Sequence, residues 1–243
     1  MVALRSVLFN AAFAMYHLIL VVVLTLLIPF PRRWSQQFVR AWTGGGRIIL
    51  KVIVGLGVEF RGLDNLPDGP CIIVSKHQSA WDTFVFYLLV DDPNYILKKK
   101  LTRVPFWGWC ALNCGAIAVD RSAGGAALKG LVRDTQDRLA GGRQVVIFPE
   151  GTRTKPGAKL DYFPGIAALY SHSDVPVVPV ALNSGLFWGR GSFLKKPGVI
   201  TIEILPPMPK DLKRRPFMDE LETRIETASD ALMAEAKGRF PNL

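Results

Sequence analysis

Cysteine and histidine occur only three times each in the 243 residues, and acidic residues are scarce where the chain is most apolar. Cys71, Cys110 and Cys114 are odd in number and lie in a chain too long to need staples, which excludes a disulfide scaffold; they are expected to be reduced. No full set of Cys and His stands at metal-ligand spacing, so no metal is expected. Internal repeats and low-complexity segments are missing, and an apolar fraction of 49% excludes intrinsic disorder. Residues 1–63 hold one acid, Glu59, against seven bases, and residues 6–31 hold no charge at all.

What is there begins with that uncharged stretch. Residues 7–30 are dominated by Val, Leu, Ile, Phe and Ala. A bilayer core about 30 Å thick needs about 20 apolar helical residues, so the segment is long enough to span. It is too long for the apolar core of a cleaved signal peptide. A second apolar stretch, residues 48–58, is too short to cross and follows Gly44, Gly45 and Gly46, which read as a flexible break. Two arrangements fit: a single signal anchor, or a helical hairpin lying partly within one leaflet. Arg32, Arg33, Arg40, Arg47 and Lys51 place the side after the first helix in the cytoplasm, so the expected location is the cytoplasmic membrane with the remaining chain on its cytoplasmic face. His17, with no acidic or thiol neighbour in sequence, reads as a packed residue, and His172 as a helix-end residue.

The net charge of +10 suits nucleic acid, an anionic membrane or a phosphorylated substrate. The basic clusters match no nucleic-acid motif, which leaves the other two. Short β-branched runs at 58–60, 71–75, 95–97, 116–119, 145–148, 177–182 and 199–205 alternate with helical patterns at 81–90, 126–140 and 212–237. That alternation predicts an α/β fold with a mixed, largely parallel sheet flanked by helices, preceded by an N-terminal membrane-binding helical segment. The expected division is 1–58 for the membrane-anchoring helices and 59–243 for the α/β domain.

In such sheets the chemistry lies where loops leave the carboxyl ends of strands. After the run 71–75 comes KHQSAWDT, where a helix starting near Gln78 or Ser79 would let Asp82 reach back to His77. A carboxylate on one imidazole nitrogen fixes the tautomer and raises the basicity of the other, as a general base requires. After 145–148 comes FPEGTRT, a turn expected to offer backbone N–H groups at Gly151 and Thr152 and a forked guanidinium at Arg153, with Glu150 beside them. A third cluster runs from Lys98, Lys99 and Lys100 through Val104 to Trp109, closing with Asp120 and Arg121 after the run 116–119.

In order and spacing, KHQSAWDT, KKKLTRVPFWGW with GAIAVDR, FPEGTRT and VPVVPV resemble the glycerolipid acyltransferase family over roughly residues 45–205. The resemblance implies an α/β domain behind a two-helix membrane motif, His77 as general base, Asp82 as its orienting partner, and Lys99, Arg121, Glu150, Gly151, Thr152 and Arg153 around a substrate phosphate. It further implies acyl transfer from acyl-CoA or acyl carrier protein to the 2-hydroxyl of lysophosphatidic acid, giving phosphatidic acid directly and without a cofactor. Competing readings are an acyltransferase for another lysolipid, such as a lyso-ornithine lipid, and a non-catalytic lipid-binding protein. Two positions depart from the family's usual pattern: Lys76 stands where Asn often precedes the His, and Lys100 where Glu often follows the Lys. Both are expected to add positive charge beside the acceptor.

Overall fold

A computed structural model describes residues 1–120, 124–241 and 243. The chain opens with two long helices, α1 (Val2–Leu27) and α2 (Arg32–Ile49), and a π turn (Leu50–Val54) that ends at Gly55 in the left-handed region. The α/β part runs β1 (Leu56–Arg61), β2 (Ile72–Ser75), α3 (Asp82–Val85), β3 (Pro93–Lys98), α4 (Trp107–Asn113), β4 (Ile117–Val119), α5 (Gly124–Ala140), β5 (Gln144–Ile147), α6 (Gly165–Ser171), β6 (Val177–Leu182), β7 (Gly198–Ile204) and α7 (Arg214–Arg239).

The seven strands form one sheet in the order β1-β7-β6-β2-β5-β3-β4, parallel at every pairing except β6 with β7. The expected mixed, largely parallel sheet is therefore what the chain builds. Successive strand side chains point to opposite faces, and the central strands are apolar on both. Ile73, Val146 and Val178 join one core with Phe9, Leu50 and Val54 from the N-terminal segment. Ile72, Val74, Val145, Ile147 and Val177 join the other with α5, α6 and α7, through Leu131, Ile166 and Ile225. Burial on both sides explains why these strands read as continuous hydrophobic runs.

Three local features differ from the sequence expectation. Gly44, Gly45 and Gly46 are not a break but lie inside α2. Their role is close approach: a Cβ at Gly45 would sit 2.2 Å from the Tyr16 hydroxyl, which donates to Trp42 O at 3.0 Å while Trp42 Nε1 donates back to Tyr16 O. Second, α1 starts at Val2, ahead of the uncharged run. Third, the pattern at 81–90 resolves into a one-turn helix followed by a tight turn, Phe86–Leu88.

Helix α1 is long and apolar enough to cross a membrane by composition. One stripe of it is nonetheless covered from end to end. Near its start Arg5 reaches Val54 O and Asn10 donates to Phe193 O; near its finish Thr25 Oγ1 lies 3.6 Å from Cys110 Sγ of α4.

Candidate active site

Strands β2, β5, β3 and β4 are parallel and adjacent, so the loops after Ser75, Ile147, Lys98 and Val119 leave the same edge of the sheet. This geometry brings together clusters that are up to 80 residues apart in sequence.

In the loop after β2, Asp82 is wholly buried. Its Oδ2 receives the backbone N–H of Gln78 at 2.7 Å and of Ser79 at 2.8 Å and lies 3.1 Å from His77 Nδ1. Helix α3 begins at Asp82 rather than at 78 or 79, and the residues before it form a non-helical loop whose N–H groups converge on the Asp82 carboxylate. An ionised carboxylate only accepts, so the shared proton sits on Nδ1 and Nε2 keeps its lone pair. The imidazole also stacks on Phe148, with ring centroids 3.9 Å apart and planes 15° apart. The His77 carbonyl in turn accepts Thr154 N at 2.7 Å and Thr154 Oγ1 at 3.1 Å. The ring is therefore fixed in tautomer, plane and position.

A cavity of about 500 Å³ begins at this imidazole. Its polar end carries His77, Lys98, Lys100, Gly151, Thr152 and Arg153. Its other end is apolar, lined among others by Leu20, Val21 and Leu24 of α1, Phe84, and Trp107 and Cys110 of α4. Arg153 and Lys100 form no ion pair with any described residue, so their charges are available to an anion.

The site departs from the sequence reading in several ways. Gly151 has φ +60, the conformation that favours glycine, but its N–H donates to Phe148 O at 3.0 Å and is not available to a ligand. Glu150 does not face the cavity: its side chain is fully buried behind the turn, 3.2 Å from Lys76 Nζ. Burial pushes the Glu150 carboxyl up to about 7, with Lys76 opposing the rise and Glu226 adding to it. Lys76 adds no charge beside the acceptor, because it too is buried and pairs with Glu150 and Glu226. Lys99 turns from the cavity that its neighbours Lys98 and Lys100 line, and pairs with Asp120 at 3.5 Å. Arg121 lies outside the described residues.

Two cysteines, Cys110 and Cys114, touch the cavity. Burial pushes the thiols of Cys71 and Cys114 up to about 12 and raises that of Cys110, which suits packing and not nucleophilic attack. His17 packs against Phe13, Trp42 and Phe84. His172 Nδ1 lies 2.9 Å from Ala168 O at the end of α6. Among the described residues, no group of three or more His, Cys, Asp or Glu side chains is placed to hold a metal ion.

The fold and this corner define an enzyme of acyl transfer, and comparison with known proteins agrees. The acyltransferase family model matches residues 57–183. A 1-acyl-sn-glycerol-3-phosphate acyltransferase of Pseudomonas aeruginosa is 36% identical over 209 residues, covering 86% of this chain and 81% of that one. The human 1-acyl-sn-glycerol-3-phosphate acyltransferase alpha is 30% identical over 165 residues, covering 67% of this chain and 58% of its own length. The crystal structure of the 1-acyl-sn-glycerophosphate (LPA) acyltransferase PlsC from Thermotoga maritima superposes with a TM-score of 0.76 at 20% identity, over 96% of this chain and all of that one. The chain belongs to the acyltransferase family.

Proposed function

We propose that this protein transfers an acyl chain from an acyl thioester, carried by CoA or acyl carrier protein, to the 2-hydroxyl of 1-acylglycerol 3-phosphate, giving phosphatidic acid. The observation that carries this reading is the joining, in one cavity, of an oriented imidazole, a guanidinium with no ion-pair partner among the described residues and an apolar pocket. A lysophosphatidic acid has the matching parts: a hydroxyl to deprotonate, a phosphate monoester and an alkyl chain. The named activity of the relatives is the same reaction.

In this mechanism His77 Nε2 takes the hydroxyl proton while the oxygen attacks the thioester carbonyl. The tetrahedral oxyanion collapses, the C–S bond breaks, and the imidazolium returns the proton to the departing thiolate. Asp82 keeps Nδ1 protonated throughout and stabilises the imidazolium. Arg153, Lys100 and the Thr152 N–H face the phosphate, and Lys99, paired with Asp120, sits further along the same edge. No acyl-enzyme forms and no further cofactor takes part.

Residues 1–58 serve as the membrane-anchoring segment, with α1 lying in the plane of the cytoplasmic leaflet. A helix that crossed the bilayer would have to part from the polar domain, yet α1 stays packed on it at both ends. Its outward face, with Leu4, Leu8, Met15, Leu18, Val22 and Leu26, is exposed and apolar. Phe106, Trp109 and Leu112 of the neighbouring α4 region extend that face. Arg33, Arg47 and Lys51 are exposed on α2 and the turn after it, suited to anionic headgroups.

The test is to reconstitute the protein in vesicles with labelled acyl-CoA or acyl carrier protein and a panel of lysolipids. Label is expected in phosphatidic acid. Label confined to the product of another lysolipid, or binding without transfer, would overturn the assignment.

A further inference from the structure

Behind the 148–154 turn, on the side away from the cavity, four titratable groups that the transfer chemistry does not use meet out of solvent. Lys76 is 1% exposed. Its Nζ lies 2.6 Å from Glu226 Oε1, 3.2 Å from Glu150 Oε1 and 3.5 Å from Ala158 O. The Tyr162 hydroxyl donates to the same Glu226 oxygen at 2.8 Å. Apart from Lys76 Nζ and the local backbone N–H, neither Glu150 oxygen has a hydrogen-bond partner among the described residues. Burying one ammonium against two carboxylates is expensive, and removing one member of such a cluster leaves uncompensated charge. Packing alone does not call for it.

The cluster's placement along the chain is informative. Lys76 immediately precedes His77, and Glu150 immediately precedes Gly151, so the ion pair joins the two loops that carry the proposed base and the anion-facing turn. The two loops are also joined by the Thr154 bonds to the His77 carbonyl. Glu226 stands on α7, outside the segment that matches the family, and 150 residues from Lys76.

We infer that Lys76 and Glu226 are positioning residues: through Lys76, helix α7 and Glu150 hold the Gly151–Arg153 turn at a fixed distance from His77. The inference rests on the acyl-transfer reading for its kinetic consequences, but not for its structural ones. One ammonium neutralises one carboxylate, and the second is left to repulsion from its neighbour. Besides Lys76, the charged or titratable groups bearing on Glu150 are Glu226 of α7 and Tyr162. Glu150 takes up a proton near neutral pH, and with it loses its attraction to Lys76. Acyl transfer is thus expected to fall as pH drops through about 7.

The experiment compares wild type with Lys76→Met, Glu226→Gln and the charge-balanced double variant, in vesicles. It reads hydrogen–deuterium exchange of residues 151–154, thermal unfolding, and the pH profile of transfer to lysophosphatidic acid. Lys76→Met is expected to speed exchange of the turn about tenfold or more and to lower kcat by about 10²-fold, the loss typical of a small misplacement of reacting groups. The double variant, which keeps the cluster's net charge and leaves the Glu150 carboxyl to take up a proton, is expected to unfold near the wild-type temperature while keeping the fast exchange and the low kcat. Glu226→Gln removes a like charge and is expected to move the pH midpoint of transfer down by about one unit. Wild-type exchange and kcat in a stably folded double variant, or an unmoved midpoint in Glu226→Gln, would overturn the inference. If wild type fails to acylate lysophosphatidic acid while Lys76→Met still frees the turn, the substrate reading falls and the positioning role stands.

Discussion

The loop after β2 and the segment after β3 leave the same edge of the sheet and are held in opposite ways. Asp82 is sealed from solvent, with two backbone N–H groups and an imidazole converging on one oxygen. Lys99 is more than half exposed and rests on one 3.5 Å contact with Asp120. A buried carboxylate without such partners would cost several kcal/mol, so the fold commits its backbone to it. An exposed pair is worth only about 0–1 kcal/mol and leaves its lysine mobile. The contrast matches the two tasks. A general base works only in one tautomer and at hydrogen-bond distance, whereas a charge that attracts a phosphate acts over a longer range and tolerates play.

If that contrast is functional, substitutions should separate the two regions. His77→Ala should cause the largest effect, a fall in kcat of about 10² to 10⁴-fold with the protein still folded, measured by acyl transfer in vesicles beside circular dichroism. Asp82→Asn should cost about 10²-fold in kcat at nearly constant KM, because Nδ1 is no longer held as the donor; an unchanged rate would make Asp82 only a brace for the 77–79 loop. In the turn after β5, Arg153→Ala should raise the acceptor KM about tenfold and leave the thioester KM alone, as expected for loss of a charge-assisted contact. Lys99→Ala should be the mildest, within about threefold on the acceptor KM. A Lys99 effect as large as that of Arg153 would show that the exposed segment closes on substrate more tightly than its free arrangement suggests.

Much of this was legible in sequence. Each of the seven β-branched runs became a strand within about two residues of its expected bounds, because Gly, Pro and Asp turn residues bracket them, and α5 and α7 follow their patterns as closely. The order of strands was not legible, since nothing local says that β5 inserts between β2 and β3. The H-x4-D spacing led to the His77–Asp82 pair, though not to the non-helical loop that makes it work. Gly44 to Gly46 misled because glycine signals freedom in isolation, whereas here it admits the Tyr16 ring of a neighbouring helix. Lys76 and Glu150 misled for a related reason. Their charges read as surface chemistry beside the substrate, and only the tertiary fold shows that Glu226, from the far end of the chain, holds Lys76 inside, where Lys76 pairs with Glu150.

The most direct test of the whole account is the acceptor preference of the reconstituted protein, measured as kcat/KM for 1-acylglycerol 3-phosphate against the same lipid without its phosphate, in wild type and in Arg153→Ala. Wild type is expected to favour the phosphate monoester by about 10²-fold or more, and Arg153→Ala to lose about tenfold of that preference. Equal rates on the two acceptors in wild type would contradict it.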